Sequence, residues 1–199
     1  LTSKGYLVLR MGNANPSKIK FDHDLFIDYS FVDWKSDFMD VFLGRECSFC
    51  ISTGTGNDVF ARIFNKPLGI ISNPVNDIYC TNSNRTHLFG CVKNKITNKY
   101  LTLDEIFTSE MSSFEGMQKI IKSNFVLDKN DSNDILNLTR EVQMKFENKF
   151  FPRESDELLL QEKFWSIFFK YNKKLCNDPK SNFIICSKFL KEKNYLLKL

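Results

Sequence analysis

The residues that point most directly to chemistry lie in the stretch 50–64, which reads CISTGTGNDVFARIF. An apolar run is followed by Thr53, Gly54, Thr55 and Gly56 and then by an amphipathic stretch, which is typical of a strand, a tight turn and the start of a helix. Glycine lets a backbone approach a phosphate closely, and backbone N–H groups and threonine hydroxyls are donors for its oxygens. These four residues predict an anion-binding turn at a helix N-terminus. A tight connection that only requires glycine stays open as the alternative.

Three further polar residues end predicted strands. Arg10 follows the apolar part of GYLVLRMG (5–12), and Asp28 and Tyr29 follow that of LFIDYS (25–30). The carboxyl ends of parallel strands meet at one edge of a sheet, so we expect these side chains to lie near the glycine turn. Arginine suits bidentate contact with phosphate, whereas an ordinary surface arginine is the alternative.

Two short motifs raise the question of a metal. Asp22 and Asp24 form D-x-D, the pattern with which one large class of glycosyltransferases holds a divalent metal on a nucleotide diphosphate, but such short acidic matches are common by chance. Cys47 and Cys50 form C-x-x-C, yet no second pair follows and four zinc ligands at workable spacing are not evident. We expect no metal site, and a metal-dependent reaction through Asp22 and Asp24 stays an alternative.

Alternating strands and helices in the first third of the chain must position these residues. The pattern predicts a helix over 36–47, another directly after the glycine turn, and strands over 5–12, 25–30, 48–52 and 68–72. This alternation is typical of right-handed crossovers in a parallel sheet. The expected fold class is therefore α/β, a Rossmann-like parallel sheet with helices on both faces.

The helix over 36–47 carries its own boundary signals. Ser36 or Asp37 is the expected N-cap, and Gly44 is the expected end. Its predicted apolar face consists of Phe38, Met39, Phe42 and Leu43.

The rest of the chain divides into a polar stretch and a helical one. Residues 74–100 are rich in asparagine, and we expect a long loop that folds over the carboxyl edge of the sheet. The capping box TLDE (102–105) predicts a short helix. A strand over 124–128 and helices over 134–148 and about 156–174 follow.

Composition limits the class of protein. The 199 residues carry 28 basic and 24 acidic side chains, a net charge of +4 without a basic block, which argues against nucleic acid as a partner. No apolar run reaches the roughly 18 residues of a membrane helix. Six cysteines without a secretory signal favour reduced thiols and a cytoplasmic location. We expect a single domain over 1–199, with 150–199 as a helical carboxyl-terminal extension.

Aromatic residues mark the last long helix. Trp165, Phe168 and Phe169 are followed by several lysines. Such a stripe usually packs into a core. Peripheral contact with an anionic membrane surface is the alternative.

Six stretches resemble, in the same order, a bacterial family of glycosyltransferases with the two-Rossmann, GT-B-like architecture. The tail KFLKEKNYLL (188–197) also resembles the ending of the family, so the resemblance spans nearly the whole chain. The stretches are GYLVLRMGN (5–13), FIDYS (26–30), SDFMDVFL (36–43), FCISTGTG (49–56), IFNKPLGIISNP (63–74) and LTLDEIF (101–107).

The resemblance implies transfer of a hexosyl or deoxyhexosyl group from a nucleotide-sugar donor to a glycan or lipid-linked acceptor. The expected setting is the synthesis of cell-surface polysaccharide or lipopolysaccharide, in the cytoplasm at the inner face of the cell membrane. Family members are about twice as long, so the chain resembles their carboxyl-terminal, donor-binding part, and an N-terminal domain is expected to precede it. The donor is a substrate, and no cofactor is expected.

We predict Arg10 as the catalytic residue, because an arginine and preorganised N–H groups stabilise the charge that grows on the β-phosphate as the sugar leaves. No metal is then required. In the family the turn usually reads Ser-Ser-Gly, so Thr55 keeps a hydroxyl here while Gly54 loses one. A nucleotide-binding module without catalytic activity stays an alternative. The predicted donor-binding residues are Gly12, Asp28, Tyr29, Asp37, Thr53, Gly54, Thr55, Gly56 and Asn73.

Overall fold

The computed structural model describes residues 1–12, 17–54, 56–72, 84–109, 111, 115, 118, 124–149, 155–172 and 184–198. Thr55 and Asn73 lie outside the described residues. The strands are β1 (Val8–Leu9), β2 (Phe26–Ile27), β3 (Cys50–Ser52), β4 (Leu68–Ser72), β5 (Arg85–Phe89), β6 (Cys91–Asn94), β7 (Phe125–Asp128) and β8 (Ile184–Ile185). The α-helices are α1 (Asp37–Glu46), α2 (Asp58–Ile63), α3 (Leu103–Thr108), α4 (Ser132–Phe146), α5 (Ser155–Tyr171) and α6 (Ser187–Glu192).

A parallel sheet forms the centre of the fold, with strand order β3-β4-β5-β8. Two smaller sheets accompany it: β1 pairs with β2 in parallel, and β6 pairs with β7 in antiparallel orientation. The expectation of a mixed α/β fold with a parallel sheet flanked by helices is confirmed. The strand predicted over 124–128 is β7, which lies outside the parallel sheet.

Helices cover both faces of the central sheet. Neighbouring residues of β4 point to opposite sides, so each face offers residues for a helix to pack against. Leu68 and Ile70 pack against Ala61 of α2. On the other face, a Cβ added to Gly69 would lie 3.1 Å from atoms of both Leu138 and Val142 of α4. Glycine at position 69 therefore lets α4 pack directly on the sheet.

Two predicted helix starts are confirmed at the level of single hydrogen bonds. The Ser36 hydroxyl accepts the N–H of Met39 at 3.2 Å and caps α1. Thr102 and Glu105 form the predicted capping box of α3, with each side chain accepting the other residue's N–H. These bonds satisfy N–H groups that a first helical turn leaves without partners.

The predicted end of the first helix at Gly44 is wrong, and its predicted apolar face is only half confirmed, because Met39 and Leu43 are partly buried while Phe38 and Phe42 are exposed. The helix α1 continues past Gly44 to Glu46. Gly44 instead faces α2, where an added Cβ would lie 2.4 Å from the Cβ of Phe60. Phe38 is 74% exposed, and it stacks on Phe42, which is also exposed. The glycine serves close helix packing rather than termination.

The loop predicted over 74–100 is also wrong in its described part. Residues 85–94 form β5 and β6, and all five residues of β5 are buried. Three of them, Arg85, Thr86 and His87, are polar. A buried strand normally reads as an apolar run, so the sequence of β5 conceals its position.

The described part of the carboxyl-terminal region, residues 155–172 and 184–198, contributes to the core and to the central sheet. The strand β8 adds to the edge of the central sheet beside β5. The side-chain amide of Gln161, on α5, donates to the carbonyl of Ile185 at 2.7 Å and accepts its N–H at 3.1 Å. Gln161 thus satisfies backbone groups that an edge strand would leave unpaired.

The aromatic stripe of α5 packs into the core, as the first of the two interpretations predicted. Phe164 and Phe168 have no exposed surface, and Trp165 and Phe169 pack against the same cluster.

Among the described residues, no helix combines the length and apolar character that crossing a membrane requires.

Candidate functional site

Arg10 and Asp28, predicted from separate strand ends, form a bidentate ion pair. Nε of Arg10 donates to Oδ1 of Asp28 at 2.8 Å, and Nη2 donates to Oδ2 at 2.7 Å. The Asp28 side chain is only 1% exposed, and Oδ2 also accepts the N–H of Ile19 at 2.9 Å. Burial by itself would raise the pKa of Asp28, but these hydrogen bonds outweigh it and hold the pKa below its ordinary value. The pair is therefore charged at neutral pH.

The ion pair with Asp28 uses Nε and Nη2 of Arg10 and leaves Nη1 for other contacts. Nη2 also donates to the carbonyl of Ser17 at 2.8 Å, and the guanidinium lies 5.7 Å from the centre of the Phe31 ring. Among the described residues, no hydrogen bond is made by Nη1, and the side chain is 24% exposed. Arg10 is thus held in one orientation by Asp28, which acts as a positioning residue.

Gly12 follows in a conformation that favours glycine. Its φ is 123°, in a region that other residues rarely adopt. Its carbonyl accepts the hydroxyl of Ser30 at 2.7 Å and lies 3.4 Å from Nζ of Lys35. The loop after β1 is therefore anchored to the loop after β2, next to Arg10.

Tyr29 does not face an open rim as expected. Its side chain is completely buried, and its hydroxyl donates to the carbonyl and accepts the N–H of Ser36, each at 3.3 Å. Burial raises the pKa of Tyr29. Tyr29 therefore supports the start of α1 rather than lining a surface crevice. Asp37 is exposed in the first turn of α1, where its charge favours the helix.

The glycine turn lies where the sequence placed it, after β3 and before α2. Gly54 has a φ of 77°, and its N–H donates to the hydroxyl of Ser52 at 3.1 Å. Thr53 and Gly56 are exposed. The part of the turn that the structure describes is therefore accessible.

The helix after this turn differs from the expected anion site. It contains six residues, so its dipole is small. The carboxylate of Asp58, in its first turn, is 1% exposed and accepts Nη2 of Arg62 at 2.8 Å. A buried negative charge already lies at this helix start, so an anion at the turn would depend on the turn's own N–H groups.

The two metal motifs do not assemble a metal site. In the part of the chain that the structure describes, no three His, Cys, Asp or Glu side chains lie together as a metal would require. Asp22 and Asp24 are exposed, and the residue between them, His23, accepts the N–H of Leu25. Burial raises the pKa of the Cys50 thiol to about 12, so it is protonated at neutral pH.

The two parallel sheets are linked by a contact between residues that precede β1 and β3. The rings of Tyr6 and Phe49, which precede these strands, meet edge to face with centroids 5.5 Å apart. Among the described residues, no strand pairing joins β1 or β2 to the four-stranded sheet. Gly12 and the glycine turn follow β1 and β3, the two strands that lie on either side of this ring contact.

A polar groove of about 330 Å³ lies elsewhere, at the amino end of β1. Its central group is Glu147, which accepts hydrogen bonds from Tyr6 and Gln143 and pairs with Lys149. This central carboxylate is negatively charged at neutral pH, so the groove is a less suitable site for an anionic donor than the loops after β1 and β3. It is lined by Lys4, Gly5, Tyr6, Gln143, Glu147 and Lys149.

Sequence reasoning missed the charged residues Asp58, Arg62 and Arg85. The spacing of Asp58 and Arg62, four residues apart on one helix, was a signal for their ion pair. Nothing in the local sequence indicates that Arg85 is buried.

Comparison with protein-family models, with curated proteins and with solved structures found no match for this chain.

Proposed function

We propose that this chain is the donor-binding part of a GT-B-like glycosyltransferase and that it binds a nucleotide-activated sugar beyond the ends of β1 and β3. The bidentate pair of Arg10 and Asp28 carries the proposal, because it holds a guanidinium, which suits phosphate, at the carboxyl ends of two parallel strands, where ligands of open α/β sheets bind. The sequence resemblance adds the class of donor. We expect a glycan or lipid-linked acceptor, a preceding N-terminal domain, and a cytoplasmic location at the inner face of the membrane.

In this proposal the diphosphate lies against the turn 53–56 and the loop at Gly12. Nη1 of Arg10 approaches the β-phosphate, while Asp28 fixes the guanidinium from the opposite side. A preorganised cation stabilises the charge that develops as the sugar leaves more strongly than it stabilises the bound donor. Thr55 and Asn73 keep their predicted donor-binding roles, and no step requires a metal.

Calorimetric titration with nucleoside diphosphates and nucleotide sugars tests this proposal. We compare Arg10→Lys, which keeps the charge but loses the planar donor fork, with Arg45→Lys on the exposed surface of α1. A lost charge-assisted hydrogen bond of about 1.5–3 kcal/mol predicts at least tenfold weaker binding for Arg10→Lys alone. Unchanged affinity in Arg10→Lys would contradict the assigned site.

The same titration separates the alternatives. Binding that disappears with a chelator would favour the metal-dependent reaction through Asp22 and Asp24. Binding without sugar transfer, measured on a protein that includes the expected N-terminal domain, would favour a module without catalytic activity.

A further inference from the structure

Arg85 is a buried cation without a described hydrogen bond. It is the first residue of β5, and only 5% of its surface is exposed. Its Nε has no hydrogen-bond partner, and its guanidinium donates to no described residue. A buried charge is costly unless it is paired and hydrogen-bonded.

A second arginine belongs to α2, the helix that covers the face of the sheet from which Arg85 projects. Arg62, on α2, uses Nη2 to bind Asp58, while its own Nε has no hydrogen-bond partner among the described residues. Burial and the charge of Arg62 both lower the pKa of Arg85, and the charge of Asp58 opposes this effect. Asp58 is the carboxylate that these two cations share within the described residues, and these three groups together carry an excess of one positive charge.

The topology explains why these residues meet. Arg85 pairs in register with Leu68, so both side chains project from the same face of the sheet. That face is covered by α2, whose Ala61 packs with Leu68. Arg62 follows Ala61 directly and is 34% exposed, which gives this side of the cluster access to solvent.

We propose that Arg62 and Arg85 bind a small phosphate-type oxyanion. Its oxygens would accept the two Nε–H donors that have no partner, and its charge would balance the excess. Guanidinium groups match phosphate geometry. The small exposure of Arg85 restricts the ligand to a small anion or a terminal phosphate group. Arg85 begins β5, at the amino edge of the sheet, so this site is separate from the crevice proposed for the donor.

Thermal unfolding of the full chain with increasing inorganic phosphate tests the site. We expect a saturable increase in melting temperature beyond that of chloride at equal ionic strength, because a ligand that binds only the folded state stabilises it. In Arg85→Met the apparent affinity for phosphate should fall at least about tenfold. Arg45→Met, at an exposed position, should keep the response of the unaltered chain.

Two further comparisons decide the interpretation. Without phosphate, Arg85→Met should melt no lower than the unaltered chain, because it removes an unpaired buried charge. A lower value would show that Arg85 stabilises the chain without an anion, and it would overturn the proposal. An equal effect of chloride, or a full phosphate response in Arg85→Met, would overturn it as well.

Arg62→Gln provides a second variant if Arg85→Met does not fold, and it should weaken the phosphate response in the same way. Arg10→Lys should keep that response, and Arg85→Met should keep nucleotide binding. These controls separate the phosphate site from the donor crevice.

Discussion

Replacing Gly44 with alanine tests how closely α1 packs on α2. An added Cβ would lie 2.4 Å from the Cβ, 3.4 Å from the Cγ and 3.5 Å from the Cα of Phe60. Carbon atoms in ordinary contact are about 3.5–4.0 Å apart, so the nearest pair is too close by more than about 1 Å. Rotation of the Phe60 side chain does not move its Cβ, so the two helices must separate.

The expected magnitude combines two opposing effects. Alanine is favoured over glycine within a helix by up to about 1 kcal/mol. Overpacking costs about 1–3 kcal/mol, and we expect the upper part of that range because backbone atoms must move. We predict that Gly44→Ala lowers the free energy of unfolding by about 1–2 kcal/mol and the melting temperature by roughly 2–8 °C.

Urea and thermal unfolding followed by circular dichroism measure this effect. Gly56→Ala is the matched control, because an added Cβ meets no described atom within 4 Å and the backbone is not left-handed there. We expect this control to be neutral or stabilised by about 0.4–1 kcal/mol. Adding Phe60→Ala should not restore Gly44→Ala, since alanine keeps the Cβ. Full stability of Gly44→Ala would refute the close packing of the two helices.

Two further predictions concern the sheet and the groove at the amino end of β1. Gly69→Ala should lower the free energy of unfolding by about 1–2 kcal/mol. Adding Ile51→Val should restore part of this stability, because Ile51 Cδ1 lies 2.7 Å from the added Cβ. Strictly additive effects of the two substitutions would contradict this contact. Hydrogen bonds, first from Lys149 and then from two neighbours, lower the pKa of Glu147 from 4.5 to about 2. The stability that these hydrogen bonds contribute is complete above about pH 4.5 and is lost as the pH falls toward 2. The free energy of unfolding of Glu147→Gln, measured in urea, should therefore depend less on pH over this interval than that of the unaltered chain. An unchanged pH dependence would count against the hydrogen bonds of Glu147.

Local sequence signals determined the features that depend on neighbouring residues. The caps at Ser36 and Thr102 were predictable because each needs only its own residue type and a backbone N–H three residues later. The strands at β3 and β4 and the glycine turn between β3 and α2 were predictable from alternating apolar and turn-forming stretches. The class of fold follows from these elements alone.

Tertiary structure decided where the charged and polar groups lie. The pairing of Arg10 with Asp28 could be expected only as proximity, because its bidentate geometry depends on two strands being in register. The sequence pattern predicted that a helix ends at Gly44, but in the structure Gly44 allows α1 to pack closely against Phe60 of α2. Burial is a property of what covers a residue, and for Arg85 the cover comes from parts of the chain distant in sequence. For this reason no local pattern distinguishes the buried polar strand β5 from a solvated loop.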